Sequence, residues 1–272
     1  MSVKKESSGR RSVQVEVEVP GTPEEVWRAI ATGPGVSSWF VPTTIEEREG
    51  GAVTATFGPG METSAAITAW EPPHRFAAES SMGPSAPPLA TEWIVEARDG
   101  GTCVVRVVHS LFAGTDDWDK QLEGTESGWP GFFHILRLYL THFSGRPCSA
   151  FRVMAISTES LDKVWDTLTG SLGLAHAAAG QPLSTPAGVP PLAGVVHEIG
   201  EGLHPSQLLL LEEPAPGIAV VNAFAMGGRV VLTGSFYLYG DRAPEAVARH
   251  EPLWQEWMKQ RFPSATNAGA GD

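Results

Sequence analysis

Few side chains in this sequence have the chemistry to act on a small molecule, and two of them stand on regular patterns. Along 102–110, Cys103, Val105, Val107 and His109 alternate with Val104, Arg106 and Val108. A strand sends successive side chains to opposite faces, so the charged Arg106 belongs outside and His109 inside. Tyr139 lies on an aromatic segment, Trp129 to Phe143, whose helical spacing turns it toward the same interior. Such a histidine can take a proton from an acidic carbon, with the phenol of Tyr139 donating a proton or stabilising the enolate. These two are the candidate catalytic residues. In the competing reading His109 only satisfies a backbone carbonyl at the strand end, as buried polar groups usually do.

Other chemistries lack their residues. There is no nucleophile elbow, no Gly-rich phosphate loop and no pair of carboxylates at a telling spacing. His142, His176, His197, His204 and His250 are scattered without metal-ligand spacing, and neither a metal nor a cofactor is expected. Asp116-Asp117-Trp118-Asp119 resembles a metal loop only superficially and reads as a solvated acidic loop. The net charge is -12 and both halves are acidic, which argues against nucleic acid as a partner. The two cysteines, Cys103 and Cys148, build no disulfide framework, which fits a reducing cytoplasm. No apolar run approaches the ~20 residues of a membrane span.

The positioning elements are announced twice. The alternating strand Val13 to Val19 runs into Thr22-Pro23 and a helix holding Val26-Trp27 and Ile30. Phe151 to Ile156 runs into Ser157-Thr158 and a helix holding Val164-Trp165 and Leu168. Each copy closes on an aromatic-rich amphipathic helix, the first from Trp129 to Phe143 and the second from Pro244 to Phe262, where Pro252 predicts a kink or restart. A repeat this long means two related domains. In the first half, Gly33-Pro34-Gly35 is expected to end the first helix, with a short turn carrying Trp39-Phe40 beyond it. A meander of five or six strands, punctuated by Gly and Pro, follows. Ala113 to Ser127 reads as a polar loop. In the second half Ala175 to Pro191 reads as a loop replacing elements of the first copy, so its cavity should be smaller or closed. Trp27 and Trp165 are expected at equivalent core positions. The boundaries drawn are 12–146 and 148–263, with residues 1–11 and 264–272 as flexible termini.

Several of these residues, in this order, resemble the SRPBCC superfamily, the START-like helix-grip fold. Residues 12–146 look like bacterial relatives of the activator of the heat-shock protein 90 ATPase. The match rests on the opening strand with Pro23 and Val26-Trp27, then Trp39, Trp70-Glu71-Pro72-Pro73-His74-Arg75-Phe76, Gly101-Thr102, and Gly128-Trp129 opening a helix with Leu136 and Tyr139-Leu140. The second half resembles the superfamily through its ends. The resemblance implies an α+β protein of two tandem helix-grip domains, each an antiparallel sheet gripping a long C-terminal helix with a cavity between them. Members bind lipids, polyketides or hormones there, and some cyclise polyketide chains, for which fused pairs of such domains are known.

With that cavity assumed, alternation puts Thr91, Trp93 and Val95 inward beside Val105, Val107 and His109, with Glu92 and Glu96 outside. The helix adds Trp129, Phe132, Phe133, Leu136 and Tyr139, and the short turn adds Trp39 and Phe40. Glu62 and His134 are further candidate polar groups. An apolar enclosure with sparse polar atoms is the usual form of a small-molecule site. The leading expectation is an apolar or aromatic ligand in the first domain. The alternatives are a polyketide cyclase or aromatase using His109 and Tyr139, and a co-chaperone-like module whose partner is a protein.

Overall fold

A computed structural model describes residues 3–263 apart from 59, 82, 84, 85, 114, 201 and 203. The expected tail 264–272 lies outside the described residues. The chain divides into two units, Met1–Gly145 and Arg146–Asp272.

In the first unit, β1 (Lys4–Lys5), β2 (Arg10–Pro20), α1 (Pro23–Ala31), α2 (Gly33–Ser37), β3 (Thr43–Ile45), β4 (Ala52–Thr56), β5 (Glu62–Glu71), β6 (Arg75–Ser80), β7 (Leu89–Arg98) and β8 (Thr102–Phe112) lead through a 3₁₀ turn, Asp116–Trp118, into α3 (Asp119–His142). The strands form one antiparallel sheet in the order β1-β2-β8-β7-β6-β5-β4-β3. The first and last long strands therefore pair, and β3 to β7 meander away from them.

Local chemistry explains the helices. Thr22 caps α1 with a reciprocal box: its hydroxyl accepts from the Glu25 amide, and the Glu25 carboxylate accepts from the Thr22 amide. Instead of ending α1, Gly33-Pro34-Gly35 forms the first turn of α2. Thr32 caps the Gly35 amide at 3.0 Å, and proline is tolerated where an amide has no helical partner anyway. A Cβ on Gly35 would lie 1.9 Å from the Arg28 carbonyl oxygen, so only glycine allows this approach of the two helices.

Two expectations at the N-terminal edge are corrected together. Lys4–Lys5 and Arg10–Arg11 belong to strands and are not a frayed terminus. The acidic run is solvated at Asp116 and Asp117, but it is the 3₁₀ turn and start of α3 and not a loop, and Arg11, only 8% exposed, reaches Asp119 at 2.6 Å and Asp116 at 2.7 Å. Lys5 joins both carboxylates at 2.8 and 3.0 Å. Both carboxyl groups are consequently held below the usual Asp range, with the Lys5 hydrogen bonds as the largest cause. Anchored acids at a helix start also favour the helix dipole. α3 accordingly begins ten residues before Trp129, with Pro130 in its interior.

The second unit contains β9 (Cys148–Ser157), α4 (Leu161–Leu172), β10 (Pro182–Ser184), β11 (Ala193–Gly200), β12 (Ser206–Glu213), β13 (Gly217–Met226), β14 (Arg229–Tyr239) and α5 (Ala243–Arg261). Its sheet order is β10-β11-β12-β13-β14-β9, so first and last strands pair here too. Ala175 to Pro191 supplies one short edge strand where the first unit has two short strands, β3 and β4, between α2 and its long hairpins. α5 continues through Pro252 without restarting. The core is built on Phe151 stacked on Phe236 at 4.5 Å, with Trp254 against Phe236 at 4.9 Å and Trp257 at the margin.

Trp165 is not the equivalent of Trp27. Trp27 is buried at 7% exposure, whereas Trp165 is half-buried at the margin of its core. Its truncation removes only part of a ring from the protein interior. We expect Trp165→Ala to cost about 1–2 kcal/mol in denaturant unfolding, against ~3–5 kcal/mol for a fully buried aromatic. A loss at the upper value would show that Trp165 is a full core residue.

Candidate functional site

The candidate site lies between the inner face of the first sheet and α3. Three strands present His109, Thr91 and Val13 as neighbours, because His109 pairs with Thr91 on one side and Val13 on the other. One pair further along come Val107 opposite Trp93, then Val105 opposite Val95, all facing inward. The opposite face shows the charge pattern expected of Arg106, which bridges Glu16 at 3.2 Å and Glu96 at 2.8 Å. α3 is tied down by Arg137, whose Nε donates to the Glu18 carbonyl at 3.1 Å.

His109 is held on both sides. The Trp129 indole Nε1 donates to Nε2 at 2.6 Å, and Nδ1 lies 3.0 Å from the Thr91 hydroxyl. An indole N–H only donates, so Nε2 must carry the lone pair and the neutral ring is the Nδ1–H tautomer, donating to Thr91. The partners are thus side chains and not the expected backbone carbonyl. Burial lowers the His109 pKa to about 4, and a proton on Nε2 would also face the Trp129 N–H. The imidazole is neutral at neutral pH, yet its basic nitrogen is already engaged.

Tyr139 does not join this group. It is buried on α3, but ten residues beyond Trp129, or about 15 Å along the helix axis at ~1.5 Å per residue. Side chains on a helix lean toward its N-terminus in parallel, which preserves the separation. The expected acid–base pair is therefore not assembled. Leu136 is fully buried on the same helix, His134 is half-buried, and Glu62 is exposed and outside the interior.

Around His109 the rings form one connected array. Trp93 lies 5.1 Å from Trp129 and 6.1 Å from both Trp39 and Phe76. Trp129 is 5.6 Å from Phe133 and stacks on Phe40 at 5.4 Å. At such distances rings are in contact, so the aromatic residues pack the interior and do not line an open chamber around it. Trp39 is fully buried, with its Nε1 donating to the Ala29 carbonyl at 2.9 Å.

The array opens at one end. Phe40 touches Phe132 at 4.5 Å and Phe57 at 5.6 Å, and all three rings are half-buried. Phe57 was not anticipated. Its position directly before the Gly58-Pro59-Gly60 turn made it look like a strand end rather than a wall. Trp27, Trp70 and Phe76 form a second knot, with Trp27 5.1 Å from Trp70 and 5.8 Å from Phe76. Among the described residues, no group of three or more His, Cys, Asp or Glu is placed to hold a metal ion. No described helix is long and apolar enough to cross a membrane.

An antiparallel sheet whose first and last strands pair, closed by a long C-terminal helix and built twice in one chain, defines a tandem helix-grip fold of α+β class. Residues 20–141 match the family model described as Activator of Hsp90 ATPase homolog 1-like protein. The matched stretch lies wholly within the first unit. Similar solved structures include DynU16, a protein of the dynemicin biosynthetic locus. It is 19% identical, with 90% of this chain and 95% of that chain covered and a TM-score of 0.41. The di-domain ARO/CYC BexL of the BE-7585A biosynthetic pathway is 15% identical, covering 93% and 99% at a TM-score of 0.43. The Aha1 dimer from Colwellia psychrerythraea is 17% identical, covering 49% and 98% at 0.41. Comparison with the curated proteins found no match.

Proposed function

We propose that the first unit binds an apolar or aromatic small molecule at the open end of its ring array, against Phe40, Phe57 and Phe132, with Trp129 behind them. One observation carries this reading: three rings from three separate segments converge edge to face and remain half-exposed, although the interior beside them is closely packed. Partly uncovered aromatic surface held in fixed geometry offers a flat apolar ligand area to bury at little ordering cost. His109, Thr91, Trp93, Val95, Val105, Val107 and Phe133 then form the wall that holds Trp129 and Phe40 in place. Leu136 and Tyr139 lie deeper along α3.

Acid–base turnover of a polyketide type is the weaker reading. Its base has both ring nitrogens occupied, and its acid stands about 15 Å further along the helix. Cys103 and Cys148 form no disulfide, which supports placing the protein in a reducing compartment such as the cytoplasm.

The test is a titration of the whole protein with 8-anilinonaphthalene-1-sulfonate and with anthraquinone-type tricyclic ketones, read by tryptophan fluorescence and by melting temperature. Binding should alter the emission of Trp129 and raise the melting temperature. Phe40→Ala and Phe132→Ala should each weaken it by roughly tenfold, which is ~1.4 kcal/mol. Leu253→Ala, which truncates an exposed side chain of the second unit, should leave it unchanged. Equal affinity across wild type and the Phe variants would place any binding elsewhere, and no binding by any probe would end the proposal.

A further inference from the structure

The second unit carries a polar cavity of its own, at the junction where β12 ends and α5 begins. Its volume is about 410 Å³, and its lining is Pro191, Glu212, Glu213, Pro214, Arg242 and His250. This volume lies within the ~300–1,000 Å³ usual for small-molecule sites. It is also unlike the ring array of the first unit in its chemistry, being edged by charge.

Three features of the lining point to a ligand. First, the two signs of charge come from different elements: Glu212 and Glu213 close β12, while Arg242 stands at the N-cap of the 19-residue α5. Second, these charges are not used up internally. Among the described residues Glu212, Glu213 and Arg242 share no ion pair or hydrogen bond with one another or with other side chains. Third, His250 is only 7% exposed, and its Nδ1 is buried with no hydrogen-bond partner among the described residues. A buried polar atom left unpaired costs ~1–3 kcal/mol, so it is kept where something else satisfies it. Burial, followed by the charge of Arg249, lowers the His250 pKa, so the ring next to the cavity is neutral.

The combination selects a charge type. A simple anion would meet Arg242 and the positive end of α5, but also two carboxylates. A simple organic cation would meet the carboxylates, but also the guanidinium. A metal ion is not provided for, since no group of three potential ligands comes together among the described residues. We propose that this cavity binds a small zwitterion of the α-amino acid class. Its carboxylate lies on Arg242 at the start of α5, and its ammonium lies toward Glu212 and Glu213. His250 lines the cavity, and a turn of its ring brings the unpaired Nδ1, shielded from the open volume in this structure, to one hydrogen bond with the ligand. Pro191 and Pro214 provide rigid apolar walls for the ligand's side chain, and their fixed φ angles keep the mouth from collapsing.

The experiment screens the full chain against the individual protein amino acids at millimolar concentration by melting temperature, with calorimetric titration of any that stabilise it. Sodium acetate and methylammonium chloride at matched ionic strength serve as anion-only and cation-only probes. At least one amino acid should raise the melting temperature with saturation, and neither single-charge probe should reproduce it. Arg242→Ala and Glu213→Gln change exposed side chains, so folding should be little affected, while each should weaken binding by roughly tenfold or more. The ring resonances of His250 should shift on saturation in wild type. Phe40→Ala, in the first unit, should leave this binding intact, which separates the proposal from the aromatic site. Stabilisation by acetate alone would reduce the site to a helix-end anion contact, and by methylammonium alone to an acidic surface. Either result, no stabilisation at all, or binding indifferent to both variants overturns the proposal.

Discussion

Trp129→Ala should lower the stability of the first unit by about 5 kcal/mol, close to the whole margin of a small domain. Two losses add. Truncating a buried tryptophan typically costs ~3–5 kcal/mol, because surrounding groups close the void only in part. This ring touches Phe40, Trp93, Phe132, Phe133 and His109 on several elements, which limits any collapse. The change also strips Nε2 of His109 of the Trp129 N–H donor, and an orphaned buried acceptor costs a further ~1–3 kcal/mol. Trp129→Phe separates the two contributions, since it keeps most of the ring and removes only the N–H. Denaturant unfolding followed by circular dichroism should give the order wild type, then Phe, then Ala. If Trp129→Ala lies within about 1 kcal/mol of wild type, the ring array is not the structural centre of the unit.

The distribution of what could be read from sequence follows the range of the forces involved. Strand alternation is local, so the inward set of β7 and β8 and the outward Arg106 were legible. The Thr22 cap is equally local, its partner Glu25 lying three residues away. The start of α3 was not, because its determinants are over a hundred residues distant: Lys5 and Arg11 neutralise Asp116 and Asp119. Pro130 meanwhile imitates a helix start, since proline is favoured at the first helical position. The same limit applies to the site. That His109 faces inward is a statement about one strand. That Trp129 occupies its lone pair is a statement about a helix packed across the sheet, and it removes the general base the residue types had promised. The cavity of the second unit was hidden for the same reason, its charges coming from positions 212, 213, 242 and 250, which share no pattern in the chain.

Acid should weaken the first unit well above the range in which its carboxylates protonate, and His109 should be the main cause. In the unfolded chain a histidine takes up its proton near pH 6.5. In the folded protein burial holds that proton off until about pH 4. Between those values the unfolded state binds more protons, so stability rises with pH there. The contribution is complete above about pH 6.5 and is lost progressively as pH falls toward 4. A difference of ~2.5 pKa units corresponds to roughly 3 kcal/mol. Asp116 and Asp119, held below their usual value of 3.8, lose their stabilisation only at still lower pH. His250 titrates in the same direction as His109, so the comparison must be made within one pair of proteins. His109→Gln is the matched variant, because its amide oxygen can accept from Trp129 and its NH₂ group can donate to Thr91. Unfolding free energies of the two, measured from pH 7 down to 4.5, should show a steep fall in wild type and a much flatter one in the variant. The His109 ring, followed by magnetic resonance in the folded protein, should remain neutral throughout that interval. Parallel pH profiles would mean that His109 either gains its proton without penalty or is not enclosed, and the Trp129–His109–Thr91 chain would then not be the fixed wall on which the ligand site depends.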